Sequence, residues 1–170
     1  MIKIMGALFI TAGSAGAISC WLEAEKKRQS LIEEWIKLFV RWEYALKCRK
    51  RVYDFFESYD TDFIRIKAFL IEVCRRLRSN TYPSGKAAWN QLLNENRSEL
   101  IPNSECYEII AQSAEAFFGG SSEECLNNIR VCRERMEQCL KEMREKLAGK
   151  KRIYIPAGML GGAVLIILLI

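Results

Sequence analysis

Histidine is absent from the 170 residues. That removes the imidazole on which serine and cysteine triads and mixed zinc sites depend. Seven cysteines, at 20, 48, 74, 106, 125, 132 and 139, include no C-x-x-C pair, so neither a zinc knuckle nor a dithiol redox motif is written in the chain. The phosphate-binding pattern G-x-x-x-x-G-K-[ST] is missing as well. Neighbouring carboxylates occur at Glu33 and Glu34, Asp60 and Asp62, and Glu123 and Glu124, but none has the aligned partner that general acid–base work requires. The sequence therefore predicts a protein that is not an enzyme, with no cofactor and no metal.

Charge is missing where it is most informative. Met1 to Leu22 carries Lys3 alone, and Ile153 to Ile170 carries no charged side chain, so all 21 acidic residues and all but one of the 26 Lys and Arg lie between Glu23 and Arg152. A helix of either terminal composition has no polar face for water. A hydrocarbon core about 30 Å thick takes about 17–25 helical residues, which predicts transmembrane helices over 1–22 and 153–170. The small residues Ala15, Gly16 and Ala17 also fit a cleaved leader. Against that, Lys26, Lys27 and Arg28 follow the first run and Lys150, Lys151 and Arg152 precede the second. The positive-inside tendency puts both inner flanks, and the region 23–152, in the cytoplasm. Scattered thiols suit such a reducing compartment.

Between the ends the pattern is helical throughout. Apolar residues at 31, 35, 38, 42, 45 or 46, 52 and 56 keep steps of three and four, which predicts one long helix with Trp35 and Trp42 on its buried stripe. Arg49 interrupts that stripe, where the helix is expected to bend or to turn its buried face. A boundary at Tyr59 to Thr61 precedes a second helix on Phe63, Ile66, Leu70, Val73 or Cys74, and Leu77. Pro83 and Gly85 end it, and Ala88, Trp89, Leu92 and Leu93 form a short amphipathic segment. After Pro102, a helix over Glu105 to Phe118 is expected.

Gly119 and Gly120 break the chain again. Ser121 and Glu124 then make a capping box, opening a helix whose buried face reads Cys125, Ile129, Cys132, Met136, Cys139, Met143 and Leu147, close to a heptad. The cysteines on it are expected as small core residues rather than metal ligands. The whole predicts an all-α fold: a compact antiparallel helical bundle between two terminal transmembrane helices.

Two basic clusters stand out, Arg49, Lys50 and Arg51, and Arg75, Arg76 and Arg78. Acidic residues are interspersed along the same helices and the net charge is only +5, so nucleic acid is not expected. A protein partner surface, or an anionic lipid surface, is. In the terminal runs, Gly6, Gly13 and Gly16, and Gly158, Gly161 and Gly162, supply the small faces that let membrane helices approach closely. Tyr154 suits an interface, and Pro156 is expected near the start of the last span.

The glycine-dotted "MGAL" start, the long first helix, the "AAW" of Ala87 to Trp89 and the ending "IPAGMLGGAVLIILL" together resemble the stage III sporulation protein AB family of endospore-forming Firmicutes. The chain departs from that family after the first helix, where a threonine-proline-leucine element is missing, and at "FFGGSSEECLN", where a leucine-glycine turn is usual. The resemblance implies a non-enzymatic platform or scaffold of a secretion-like complex linking mother cell and forespore, located in the mother cell's outer forespore membrane. It implies a central domain similar to the cytoplasmic domains of type II secretion F and type IV pilus platform proteins. Implied partners are other stage III sporulation membrane proteins and a secretion-type ATPase. The competing expectation is a membrane-anchored helical sensor or regulatory protein.

Overall fold

In the computed structural model, the backbone is described for residues 2–79 and 82–169, and side chains for 13, 16, 18–79, 82–152 and 156. Among these residues the chain is all-helical: α1 (Ile2–Lys47), α2 (Val52–Ser58), α3 (Ile64–Arg78), α4 (Gly85–Glu95), α5 (Arg97–Leu100), α6 (Ser104–Gln112), α7 (Ala114–Phe118) and α8 (Ser122–Leu169). The chain divides into two compact units. One is Ser30–Leu140; the other is Met1–Gln29 together with Lys141–Ile170.

The Ser30–Leu140 unit is built on aromatic packing. Trp89 of α4 packs 4.8 Å from Phe117 and 4.9 Å from Phe69, while Phe56 lies 5.0 Å from Phe117 and Trp42 lies 5.0 Å from Phe55, centroid to centroid. Such ring pairs each add about 0.5–1.5 kcal/mol beyond their burial. Of the apolar steps expected on α1, Trp35, Leu38, Trp42 and Ala45 are buried in this interior and Leu31 is only half-buried; Ile32 and Phe39 are buried in addition.

The same indoles finish the short helices. Every helix leaves its last carbonyls without an internal donor. Trp35 Nε1 donates to the Leu100 carbonyl at 3.0 Å, Trp89 Nε1 to Ile110 at 2.9 Å and Trp42 Nε1 to Ala116 at 2.9 Å. These carbonyls lie in the last turns of α5, α6 and α7, helices of 4, 9 and 5 residues. A buried carbonyl left without a donor costs about 1–3 kcal/mol, so each indole contributes a hydrogen bond at the point where a short helix is weakest.

This arrangement explains one departure from the sequence pattern. The helix expected over Glu105 to Phe118 is two, α6 and α7, parted at Ser113. The Ile110 carbonyl accepts from the Trp89 indole and, at 2.6 Å, from the Ser113 hydroxyl. Those donors take the place of the Ala114 amide, and the ladder restarts with Ala116 and Phe117 both donating to the Ser113 carbonyl. A one-turn helix that the spacing did not predict, α5, follows after the Asn96 side chain donates back to the Leu92 carbonyl at 2.9 Å and closes α4.

The second departure is at Arg49. The helix does not bend there; α1 ends at Lys47. Arg49 has φ 54°, the Lys50 amide donates to the Ala45 carbonyl at 2.9 Å, and the Arg49 amide donates to Leu46 at 3.0 Å. This is a Schellman closure with arginine at the left-handed position that usually takes glycine. Val52, Phe55 and Phe56 therefore belong to a separate helix, α2, which turns Phe55 and Phe56 into the interior.

Other boundaries fall as the sequence indicates. Thr61 Oγ1 accepts from the Phe63 amide at 3.1 Å just before α3, and Ser84 Oγ accepts from the Ala87 amide at 3.2 Å to cap α4. The α8 capping box is present in both directions, the Glu124 amide to Ser121 Oγ at 3.1 Å and the Ser121 amide to Glu124 Oε2 at 3.3 Å. Gly119 before it has no room for a side chain, because a Cβ would meet the Glu115 carbonyl oxygen. Along α8, Cys125, Ile129, Cys132, Met136, Cys139 and Leu147 are buried; Met143 is only half-buried, and Leu140 is buried in addition.

Pro156 does not open a helix. It sits inside α8, which runs from Ser122 to Leu169. Its ring nitrogen cannot donate to the Arg152 carbonyl, so one rung of the ladder is missing there. Among the described residues no helix is long and apolar enough to cross a membrane. The two terminal apolar runs fall largely outside the described side chains.

Candidate interaction surface

The two basic clusters look alike in sequence and are placed very differently. Arg76 of α3 is held on three sides. Its guanidinium donates to Glu72 at 2.9 Å, to Glu95 of α4 at 2.7 and 3.1 Å, and to the Tyr82 hydroxyl at 2.9 Å, and it lies 5.8 Å from the Tyr82 ring centroid. Arg75 forms a two-pronged pair with Glu72 at 2.6 Å, and Arg78 pairs with Glu57 of α2. Hydrogen bonds from Arg75 and Arg76 pull the Glu72 carboxyl down to about 2. This cluster ties α3 to α2 and α4, so its positive charge is answered within the chain. Arg75, Arg76 and Arg78 are thus each paired to a carboxylate within the chain, while Arg75 and Arg78 stay exposed.

The cluster at Arg49 to Arg51 is less committed. Arg51 pairs with Asp54 at 2.9 Å. Arg49 and Lys50 are exposed and have no carboxylate partner among the described residues. From residue 41 to 53 the chain carries Arg41, Lys47, Arg49, Lys50 and Arg51 against the single carboxylate of Glu43. Glu43 is itself engaged, by Lys47 at 3.2 Å and by Arg130 and Arg133 of α8 at 3.8 and 3.6 Å.

Beside these cations lies a groove of about 490 Å³, lined by Val40, Arg41, Tyr44, Ala45, Cys48, Lys50, Phe55, Ser58 and Tyr59. The turn at Arg49 makes it, by folding α2 back beside the last turns of α1. Its edge is unusually apolar for a free surface: Tyr44 is 70% exposed and Val40 43%. Arg41 forms one wall, its guanidinium 5.1 Å from the Tyr59 ring centroid and 2.8 Å from the Asp60 carbonyl to which it donates.

A buried carboxylate anchors Tyr59, one of the groove's lining residues. Glu34 accepts from the Tyr59 hydroxyl at 3.0 Å, from Thr61 Oγ1 at 2.5 Å and from Lys37 at 3.2 Å. Burial alone would raise its carboxyl, but the hydrogen bonds from Thr61, Lys37 and Tyr59 outweigh that and hold it below the ordinary range. Burial, reinforced by the Glu34 charge, pushes the Tyr59 phenol upward. Tyr59 is thereby kept protonated as a donor, which holds its ring against Arg41.

The remaining sites expected from sequence are placed as follows. Lys26, Lys27, Arg28, Lys150 and Arg152 are exposed and Lys151 is half-buried, with Arg28 paired to Glu25 at 3.3 Å. Gly13 and Gly16 have no described atom within 4 Å of where a Cβ would stand. Gly6, Gly158, Gly161, Gly162 and Tyr154 lie outside the described side chains. Cysteines 74, 106, 125, 132 and 139 are buried free thiols; burial pushes Cys74, Cys106 and Cys132 up to about 11. Cys48, in the groove, is exposed.

Sequence reasoning passed over Val40 and Tyr44. The signal was available: both are large apolar residues lying off the buried stripe of α1, four positions apart and so neighbours on the helix surface.

Fold and surface together define a class, an all-helical protein whose exposed feature is an apolar groove edged by cations. Within that class the family is now shown: the chain belongs to the stage III sporulation protein AB family, whose model matches residues 3–170. Membership implies a role in stage III of sporulation. No curated protein and no solved structure matches the chain.

Proposed function

We propose that this protein is a non-enzymatic platform component of a secretion-like membrane complex that links mother cell and forespore during stage III. The observation that carries this reading is the family match across residues 3–170, which takes in nearly all of both apolar terminal runs, with their basic inner flanks, as well as the helical region between them. In this reading the terminal runs are membrane spans, Lys26 to Arg28 and Lys150 to Arg152 hold the cytoplasmic side, and the Ser30–Leu140 unit faces the cytoplasm of the mother cell. The small faces of Gly13 and Gly16 then let the first span pack against the second span or against another membrane protein. The unit's architecture supports a scaffold: its buried carboxylate Glu34 and the arginines of α3 hold helices together, and its exposed groove is an adhesive rather than a reactive surface.

The expected partners are other stage III membrane proteins and a secretion-type ATPase, with anionic lipid near the basic flanks. Solubilising membranes of sporulating cells and isolating the full chain tests this. Co-isolation of stage III membrane components is the expected result; recovery of the chain alone, or a carboxyl-terminal reporter active in the cytoplasm, would overturn the platform reading or its topology respectively.

A further inference from the structure

We infer that the groove between α1 and α2 binds an acidic amphipathic helix of a partner protein, which seats an apolar pair against Val40, Tyr44 and Phe55 and lays its carboxylates along Arg41, Arg49 and Lys50. This rests on the platform reading for its context and on the groove alone for its chemistry.

Charge decides the sign of the occupant. The carboxyl end of α1 contributes about half a negative charge through the helix dipole. Arg49 and Lys50, which have no carboxylate partner among the described residues, outweigh it, and Arg41 adds a third cation that is held by a ring and a backbone carbonyl. A basic or neutral segment would leave these cations unanswered. Carboxylates would complete them, Arg41 being already fixed in place by Tyr59 and Asp60 and so losing little freedom on binding.

Shape decides the class. The surface is concave, about 490 Å³ with aromatic walls from Tyr44, Phe55 and Tyr59. That suits a pair of large side chains at i and i+4 of a docked helix, the spacing by which grooves read amphipathic helices. A flat lipid surface would meet the rim and leave the groove empty. The exposure of Tyr44, at 70%, leaves an aromatic ring on the rim for the partner to cover; aromatic and arginine side chains together are the usual anchors of such contacts.

The test places a photo-reactive phenylalanine analogue at Tyr44 of the full chain in sporulating cells, with a second strain carrying it at Ile64, which is 80% exposed on α3. From Tyr44, the expected product is a cross-link to a partner segment whose sequence has apolar residues at i and i+4 beside Asp or Glu. Lys50→Glu should cut its yield about tenfold, as loss of one well-placed charge contact would. Arg49→Gly should cut it severalfold while leaving the fold intact, because glycine suits the left-handed turn better than arginine does. Cross-linking to lipid, to a second copy of this chain, or to a segment without acidic residues overturns the inference, as does no cross-link from Tyr44. If Ile64 captures a stage III membrane component and Tyr44 does not, the groove inference falls while the platform reading stands. If neither position captures one, both fall.

Discussion

The arginines of α3 and those of the α1–α2 turn are chemically the same and physically opposite. Arg76 is closed in by Glu72, Glu95 and Tyr82, and its side chain is only 21% exposed. Arg49 stands at φ 54° in a turn, exposed, with no carboxylate near it among the described residues. One cluster is part of the scaffold and the other is presented by it. Charge on a helical protein is thus a poor guide to partner surfaces until it is known which charges are already answered; what distinguishes the turn is residual charge beside residual apolar area.

Substitutions can sharpen that contrast, or break it. The largest effect is expected at Arg76→Ala, which removes the ties to Glu72, Glu95 and Tyr82 that join α3 to α4 and should cost about 1 kcal/mol in urea unfolding of the full chain; a change no larger than that of an exposed lysine would put Arg76 in the same category as the turn. Next comes acid stability. Folding lowers the carboxyls of both Glu34 and Glu72, the latter to about 2. Their contribution is therefore present above the ordinary value of 4.5 and is lost as pH falls through the lowered values. Glu34→Gln should flatten the acid limb of a stability–pH curve, and an unchanged limb would mean that Glu34 does not underpin the groove.

Arg49→Gly has the opposite sign. Relief of the left-handed strain, about 1–2 kcal/mol, is partly offset by glycine's greater freedom in the unfolded chain, about 0.5–1 kcal/mol. A net gain of about 0.5–1 kcal/mol is expected from the midpoint of chemical unfolding. A loss would show that the Arg49 side chain, and not only its backbone, holds the turn. Smallest of all is Lys50→Ala, expected within about 0.5 kcal/mol of the parent; a larger loss would reveal an internal partner for Lys50 and remove the basis for treating the turn as a presented surface.

Much of this was legible from spacing alone. The α8 stripe from Cys125 to Cys139, the capping box at Ser121 and Glu124, and Trp35 and Trp42 on the buried face of α1 all depend on interactions within a few residues, and local chemistry is what a sequence displays. The end of α1 was not legible, because the left-handed position carries arginine where glycine would have announced it. The break at Ser113 was not legible either, since it is made by an indole that arrives from 21 residues earlier in the chain. Likewise Arg76–Glu95 and Arg78–Glu57 join residues 19 and 21 apart, so which arginines were free could be settled only by the packing of α2, α3 and α4. The family was recognisable from the order of its end signatures, and the match over residues 3–170 agrees.

The tryptophan caps also impose an order of events. A helix of four or five residues cannot persist alone, because nucleation is costly and few bonds repay it. Trp89 reaches Ile110 across only 21 residues, so α6 can be completed early, once α4 has formed. Trp35 and Trp42 must wait for Leu100 and Ala116 to return across 65 and 74 residues, a slower closure. As the chain leaves the ribosome, α1 is therefore made first and satisfied last: the indoles of Trp35 and Trp42 remain open to chaperones, or to premature contacts, until α5 and α7 have emerged and come back to them.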